Sequence, residues 1–203
     1  FSADQRVVNF ILKDNYSSKE IELEYRQPDR GGYSFKEGEA TLLRIDGPSR
    51  LNLNAEINDT TMLTEAERGV VQTSGSVSDL ATDPDPAAYR SLVADSTDVE
   101  VTANWSTKLG DGGSSLSLNG TVERSDTRSL SGLNTVVLTD PAGNSMARTY
   151  GENDPLERRS RSTTYSLGST LNAPLGGWQL TGTLNASRAE STSKIDRYAD
   201  ASA

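Results

Sequence analysis

Residues 99–123 read VEVTANWSTKLGDGGSSLSLNGTVE, and the alternation within them decides the fold. Val99, Val101, Ala103, Trp105 and Leu109 fall on one side of a two-residue repeat, while Glu100, Thr102, Asn104, Ser106 and Lys108 fall on the other. Successive side chains of an extended strand point to opposite faces, so this period marks a strand with one apolar and one polar face. After Gly110-Asp111-Gly112-Gly113, a run suited to a tight turn, the pattern restarts. Leu116, Leu118 and Val122 then oppose Ser117, Asn119, Thr121 and Glu123. The stretch is predicted to be a β-hairpin.

The same period recurs outward in both directions. Ile21, Leu23 and Tyr25 alternate with Glu20, Glu22 and Glu24; Leu51, Leu53, Ala55 and Ile57 alternate with Asn52, Asn54, Glu56 and Asn58. Downstream, Tyr165, Leu167 and Leu171, then Trp178, Leu180, Leu184 and Ala186, mark two more apolar faces, and a less regular segment runs from Phe35 to Ile45. Asp46-Gly47-Pro48-Ser49 and Pro174-Leu175-Gly176-Gly177 are again tight-turn sequences. Long polar stretches, at about Thr64 to Thr97 and Ser125 to Ser160, separate the hairpins. Short turns thus alternate with long loops, as they do in an outer-membrane barrel with short periplasmic turns and long extracellular loops. Strands of roughly 9 to 12 residues fit a tilted membrane crossing. Trp105 and Trp178 lie near the short-turn ends, where an interfacial aromatic girdle would sit. The expected fold class is all-β: an antiparallel up-and-down transmembrane β-barrel segment, about seven strands of a larger barrel.

Composition agrees with that expectation. Only 33% of residues are hydrophobic and mean hydropathy is −0.58, yet a barrel wall is apolar on its lipid face alone, so its overall hydropathy stays low. No run of about 18 apolar residues is present, so a membrane role must use strands. With no cysteine and no histidine, the chain lacks disulfides, thiolate and imidazole metal ligands and the commonest general base. No enzyme activity and no cofactor is expected. A net charge of −9 argues against nucleic acid as a partner, because phosphate contacts need clustered cations. The opening FSADQRVVNF lacks the pattern of a signal peptide, so the chain is expected to be an internal segment or one whose leader was removed.

Arg6-Val7-Val8-Asn9-Phe10-Ile11-Leu12-Lys13 resembles the strand that closes the plug domain of TonB-dependent outer-membrane receptors, just ahead of the first barrel strand. Ser49-Arg50-Leu51-Asn52-Leu53-Asn54 and Leu63-Thr64-Glu65-Ala66-Glu67-Arg68 resemble receptors of the alphaproteobacterial type. The resemblance implies residues 1–17 as the end of the plug and its link, and residues 18–203 as the N-terminal part of the barrel domain. It also implies a place in the bacterial outer membrane and the import of a scarce ligand. The implied partners are outer-membrane lipid, the remainder of the same receptor, TonB acting through the plug, and the unidentified ligand. A TonB-binding box and a C-terminal strand ending in an aromatic residue are absent, so the chain is expected to be a fragment. A passive porin-like barrel and a soluble or surface-attached β-rich adhesion module are the rival readings.

Arg148, Tyr150, Arg158 and Arg159 are the candidate ligand-binding residues, because guanidinium groups bind carboxylate or phosphate bidentately and tyrosine packs against ligand rings. A solvated loop of balanced charge is the simpler account. Asp79, Asp83 and Asp85 supply oxygen ligands for a hard cation but lack the spacing of an EF-hand, so no metal site is expected. Gly110 to Gly113 lacks the lysine of a phosphate loop. Five N-glycosylation triplets, beginning at Asn15, Asn58, Asn104, Asn119 and Asn185, are read as chance products of an Asn/Ser/Thr-rich chain. Glu20, Glu22 and Glu24, spaced two apart, are read as a solvated strand face rather than acid/base groups.

Overall fold

The computed structural model describes residues 14–72 and 78–197. Residues 6–13, on which the plug resemblance rests, lie outside them. The described chain is almost entirely strand: β1 (Asn15–Arg26), β2 (Phe35–Asp46), β3 (Ser49–Thr60), β4 (Leu63–Thr64), β5 (Ser91–Val93), β6 (Asp95–Leu109), β7 (Ser114–Gly132), β8 (Asn134–Thr139), β9 (Ser145–Tyr150), β10 (Leu156–Leu175) and β11 (Trp178–Ile195). Two short 3-10 turns, Ala66–Arg68 and Pro86–Tyr89, complete it. No described helix is long and apolar enough to cross a membrane.

Seven strands form one antiparallel sheet in the order β1-β2-β3-β6-β7-β10-β11. Skipping the loop pieces β4, β5, β8 and β9, every neighbour in space is the next strand in sequence, an up-and-down meander. The sheet is open, because β1 and β11 stand at opposite edges and do not pair. The hairpins close where the sequence predicted: Asp46 pairs Ser49, Leu109 pairs Ser114 and Leu175 pairs Trp178. Gly47 and Gly176 open the two two-residue turns at φ 54° and 62°, which glycine adopts without a Cβ penalty. All three short turns lie at one end. The connections 27–34, 61–94 and 133–155 lie at the other.

Two expectations need correction. The strands run to 15 residues in β6, 19 in β7, 20 in β10 and 18 in β11, longer than the 9 to 12 expected. The second long loop shrinks accordingly, since residues 125–132 and 156–160 belong to the ladder. Alternation stops there because both faces become polar, while the backbone pairing continues. The first strand, β1, begins at Asn15.

Residues directly opposite across a ladder share a face, so the registers assign every side chain a side. One row links Leu42, Leu53, Ala103, Gly120, Leu167 and Ala186. The next links Ile21, Ala40, Ala55, Val101, Val122 and Tyr165. The first row ends at Lys19 on β1 and the second at Arg188 on β11, so it is the two together that carry an apolar belt from edge to edge of the sheet. The opposite face carries Glu20, Glu22, Glu24, Glu39, Glu56, Glu100 and Glu123 on β1 to β7, then Ser, Thr, Asn and Gly on β10 and β11. There Asn54 donates to the Glu39 carboxylate at 2.5 Å and Asn58 to Glu56 at 2.6 Å.

The belt climbs across the sheet. Its last apolar residue on β1, Tyr25, stands in the row of Lys36, Asp59, Thr97, Asp126, Arg161 and Thr192. On β11 the last is Ala186, six residues short of Thr192. Its first on β1, Ile21, shares the row that ends at Arg188, ten residues beyond Trp178, where the belt begins on β11. Six to ten residues over six strand intervals, at about 3.3 Å per residue and 4.8 Å per interval, put the belt at roughly 35–50° to the hydrogen-bonded rows.

Nothing covers this belt in the described structure. Leu23 is 81% exposed, Trp178 83% and Leu184 71%. Every buried side chain among the described residues lies instead at the long-loop end: Leu63, Pro86, Ala87, Leu133, Thr149 and Leu156.

Candidate functional site

The three long connections build a compact cap on the loop end of the sheet. Asp85 caps the 3-10 turn that follows it, its carboxylate accepting from the Ala87 amide at 2.9 Å, with Pro86 preset for the first turn position. That turn presents Pro86 and Ala87 to the interior, with Leu63 and Leu133 among the other buried residues of the cap. β8 and β9 pair as a hairpin. Asp140 closes it, accepting from the Ala142 and Asn144 amides at 2.8 and 2.9 Å. These bonds, the Asn144 side chain's first, lower the Asp140 pKa.

One clasp joins the two longest connections. Arg148 grips Asp83 with two parallel bonds, from Nε at 2.7 Å and from Nη2 at 2.8 Å. Ser78 Oγ and the Thr149 amide donate to the same carboxylate, and Thr149 Oγ1 donates to the Pro84 carbonyl at 3.0 Å. Arg148 above all, with Ser78 next and Thr149 adding to it, holds the Asp83 carboxyl far below the ordinary carboxylate range against partial desolvation. Asp79 completes the join: its amide donates to the Ala147 carbonyl and its carboxylate accepts from the Ala147 amide. The first connection is tied in by Arg68, which donates to the Gly31 carbonyl at 2.8 Å. Arg90 holds Gln72 at 2.6 Å, and Gln72 in turn holds Glu65 at 2.8 Å.

The four candidate ligand residues do not converge. Arg148 lies on β9 with its guanidinium on Asp83. Tyr150, at the end of β9, is 47% exposed. Arg158 and Arg159 are strand residues of β10 rather than loop residues, and as consecutive positions they point to opposite faces. Asp79, Asp83 and Asp85 face a backbone amide, an arginine and a helical cap respectively. Among the described residues no acidic group is arranged to hold a metal ion. All five glycosylation triplets begin within strands.

The sequence reading missed the cap's interior and a row of charges. Leu133 follows Gly132, Leu156 follows Pro155, and Asp85-Pro86 is a turn-opening pair; apolar residues beside turn formers in a polar loop were the available signal. The charges sit beyond the belt on the same face: Arg124, Asp126 and Arg128 on β7, Glu157, Arg159 and Arg161 on β10, and Arg188, Glu190 and Lys194 on β11. Continuing the two-residue count past Val122, Tyr165 and Ala186 would have found them. Compared with family models, curated proteins and solved structures, the chain matches none. Its class therefore rests on its own geometry.

Proposed function

We propose that this chain forms part of the wall and extracellular cap of an outer-membrane β-barrel, within a TonB-dependent active transporter that binds and imports a scarce ligand. The uncovered apolar belt carries the reading. Contiguous apolar surface of this extent marks an interface with lipid or protein, and here it is continuous over seven hydrogen-bonded strands with a polar face behind it. The slant of the belt supports lipid as the covering, because barrel strands tilt at about 35–45° and a horizontal membrane then cuts diagonally across the rows. The open edges at β1 and β11 require further strands, since unpaired backbone in hydrocarbon costs several kcal/mol per group. The remainder of the receptor supplies them.

The cap belongs to the outer surface, where long loops on a rigid scaffold carry recognition. Energy-coupled transport, as against a passive pore, is the part that the plug resemblance at residues 6–13 contributes. Conductance in planar bilayers tests both halves. The full-length protein is expected to insert and remain closed, and to conduct once its plug is deleted. A pore open from the start would make it a porin; failure to insert would remove it from the membrane altogether.

A further inference from the structure

Resting on the membrane reading above, we infer that the outer face of β7, β10 and β11 is a docking site for a phosphate-bearing membrane lipid, with the headgroup on Arg128, Arg159 and Lys194. The registers place these three cations side by side in one row, which ends at Asp95 of β6 opposite Arg128. Like charges directly opposite one another in a sheet repel, so the arrangement needs an anion. Asp95 at the end of the row and Glu157 supply part of it, Glu157 accepting from Arg128 at 2.7 Å and from Arg159 as well. Lys194 has no ion-pair partner among the described residues. One row closer to the belt, Asp126 is shared in the same way between Arg161 and Arg124.

Across the three strands six cations meet three carboxylates, in a chain whose net charge is −9. Each shared carboxylate engages two guanidinium groups through Nε, and a guanidinium carries five N–H donors. Arg159 and Arg161 remain 63% and 62% exposed. A groove runs through this patch, lined among others by Asp95, Asp126, Arg128, Arg159, Arg161 and Lys194.

A second groove lies on the same face toward the short turns, lined among others by Val101, Ala103, Val122, Tyr165, Leu167 and Ala186. It exists because Gly120 has no side chain between Ala103 and Leu167. From the row of Arg161 to the row of Tyr165 is four residues, about 13 Å along the strand. A headgroup in the charged groove thus hangs its acyl chains into the apolar one. Cations beside a hydrophobic belt attract anionic headgroups at about fivefold in affinity per charge.

The test uses the full-length protein in phosphatidylcholine discs carrying a minor fraction of phosphatidic acid, with the lipid retained on the released protein counted by native mass spectrometry. Phosphatidic acid is expected to be enriched over phosphatidylcholine. The triple variant Arg128→Gln, Arg159→Gln, Lys194→Gln should lower that enrichment on the order of tenfold or more, whereas Asp126→Asn with Glu157→Gln should raise it. Opposite signs separate the charge mechanism from a folding defect, and two variants moving together would overturn it. Absence of enrichment in the natural protein overturns the lipid site while leaving the barrel standing. Inorganic phosphate that displaces the lipid at millimolar concentration makes this a free-anion site and overturns the role of the apolar groove. A protein that stays out of phosphatidylcholine discs overturns the membrane reading, and this inference with it.

Discussion

The wall and the cap of this molecule are built on opposite plans. Among the described residues the wall, β1-β2-β3-β6-β7-β10-β11, buries a side chain only at its loop-end rim, Leu156 at the start of β10, and leaves its large apolar residues uncovered on one face. The cap is mostly polar by composition, yet it holds Leu63, Ala87 and Leu133 at 6% exposure or less, with Leu156 of β10 buried beneath it at the rim. A wall that depends on its surroundings for its hydrophobic contacts carries on its rim a small unit that supplies its own. The two parts should therefore respond differently to substitution, solvent and pH.

The largest separation is expected from the cap's interior. Leu133→Ala removes one of the two most deeply buried side chains, and a change of this kind in a packed site costs about 2–5 kcal/mol. Amide exchange of 61–94 and 133–155 in the full-length protein should accelerate by at least tenfold, while the ladder amides of β3 and β6 keep their protection. Equal acceleration in the wall would show that cap and wall unfold as one unit.

A slightly smaller effect should divide the two faces of the wall. Leu167→Arg places a charge on the apolar belt, and lipid-facing arginine costs about 2–4 kcal/mol near the bilayer midplane. Ser166→Arg, one residue away on the polar face, should be close to neutral. Denaturant unfolding of the full-length protein in lipid reads the difference, and equal costs at both positions would erase the distinction between faces.

The smallest effect concerns the clasp. The Asp83 pKa is lowered in the fold, chiefly by Arg148, so its contribution is complete above the ordinary carboxylate pKa of about 3.9 and is lost as pH falls through the lower folded value. Exchange across 78–94 and 145–150 should therefore quicken on acidification below about pH 4, before the wall responds. Asp83→Asn should give somewhat faster exchange at neutral pH and a flatter pH profile. An unchanged profile in that variant would assign the acid response to other carboxylates.

The contrast also explains what could be read from the chain. Leu51, Leu53, Ala55 and Ile57 announce a strand because their period is local, and the hairpins follow from Gly47, Gly110, Gly113 and Gly176. The outer halves of β7 and β10 escape that reading, since Arg124, Asp126, Arg159 and Arg161 make the formerly apolar face as polar as the other. The clasp was out of reach for a different reason. Asp83 and Arg148 are 65 residues apart, and nothing in either neighbourhood names the other, so the sequence offers Asp83 as an acid of a solvated loop and Arg148 as a ligand contact. Arg158 and Arg159 were grouped with Arg148 by proximity in sequence, which a strand converts into opposite directions.

The central claim is that the belt faces lipid and the alternate face faces water. With no cysteine in this chain, and any elsewhere in the full-length protein replaced by serine, single cysteines can be placed along β10, labelled with bimane in the protein reconstituted in bilayers, and quenched from lipid and from water in turn. Labels at Tyr165, Leu167, Ser169 and Leu171 are predicted to respond to the lipid-borne quencher, and labels at Thr164, Ser166 and Thr170 to the aqueous one. Equal aqueous quenching at both sets, or protection of the first set from both quenchers, would contradict the account.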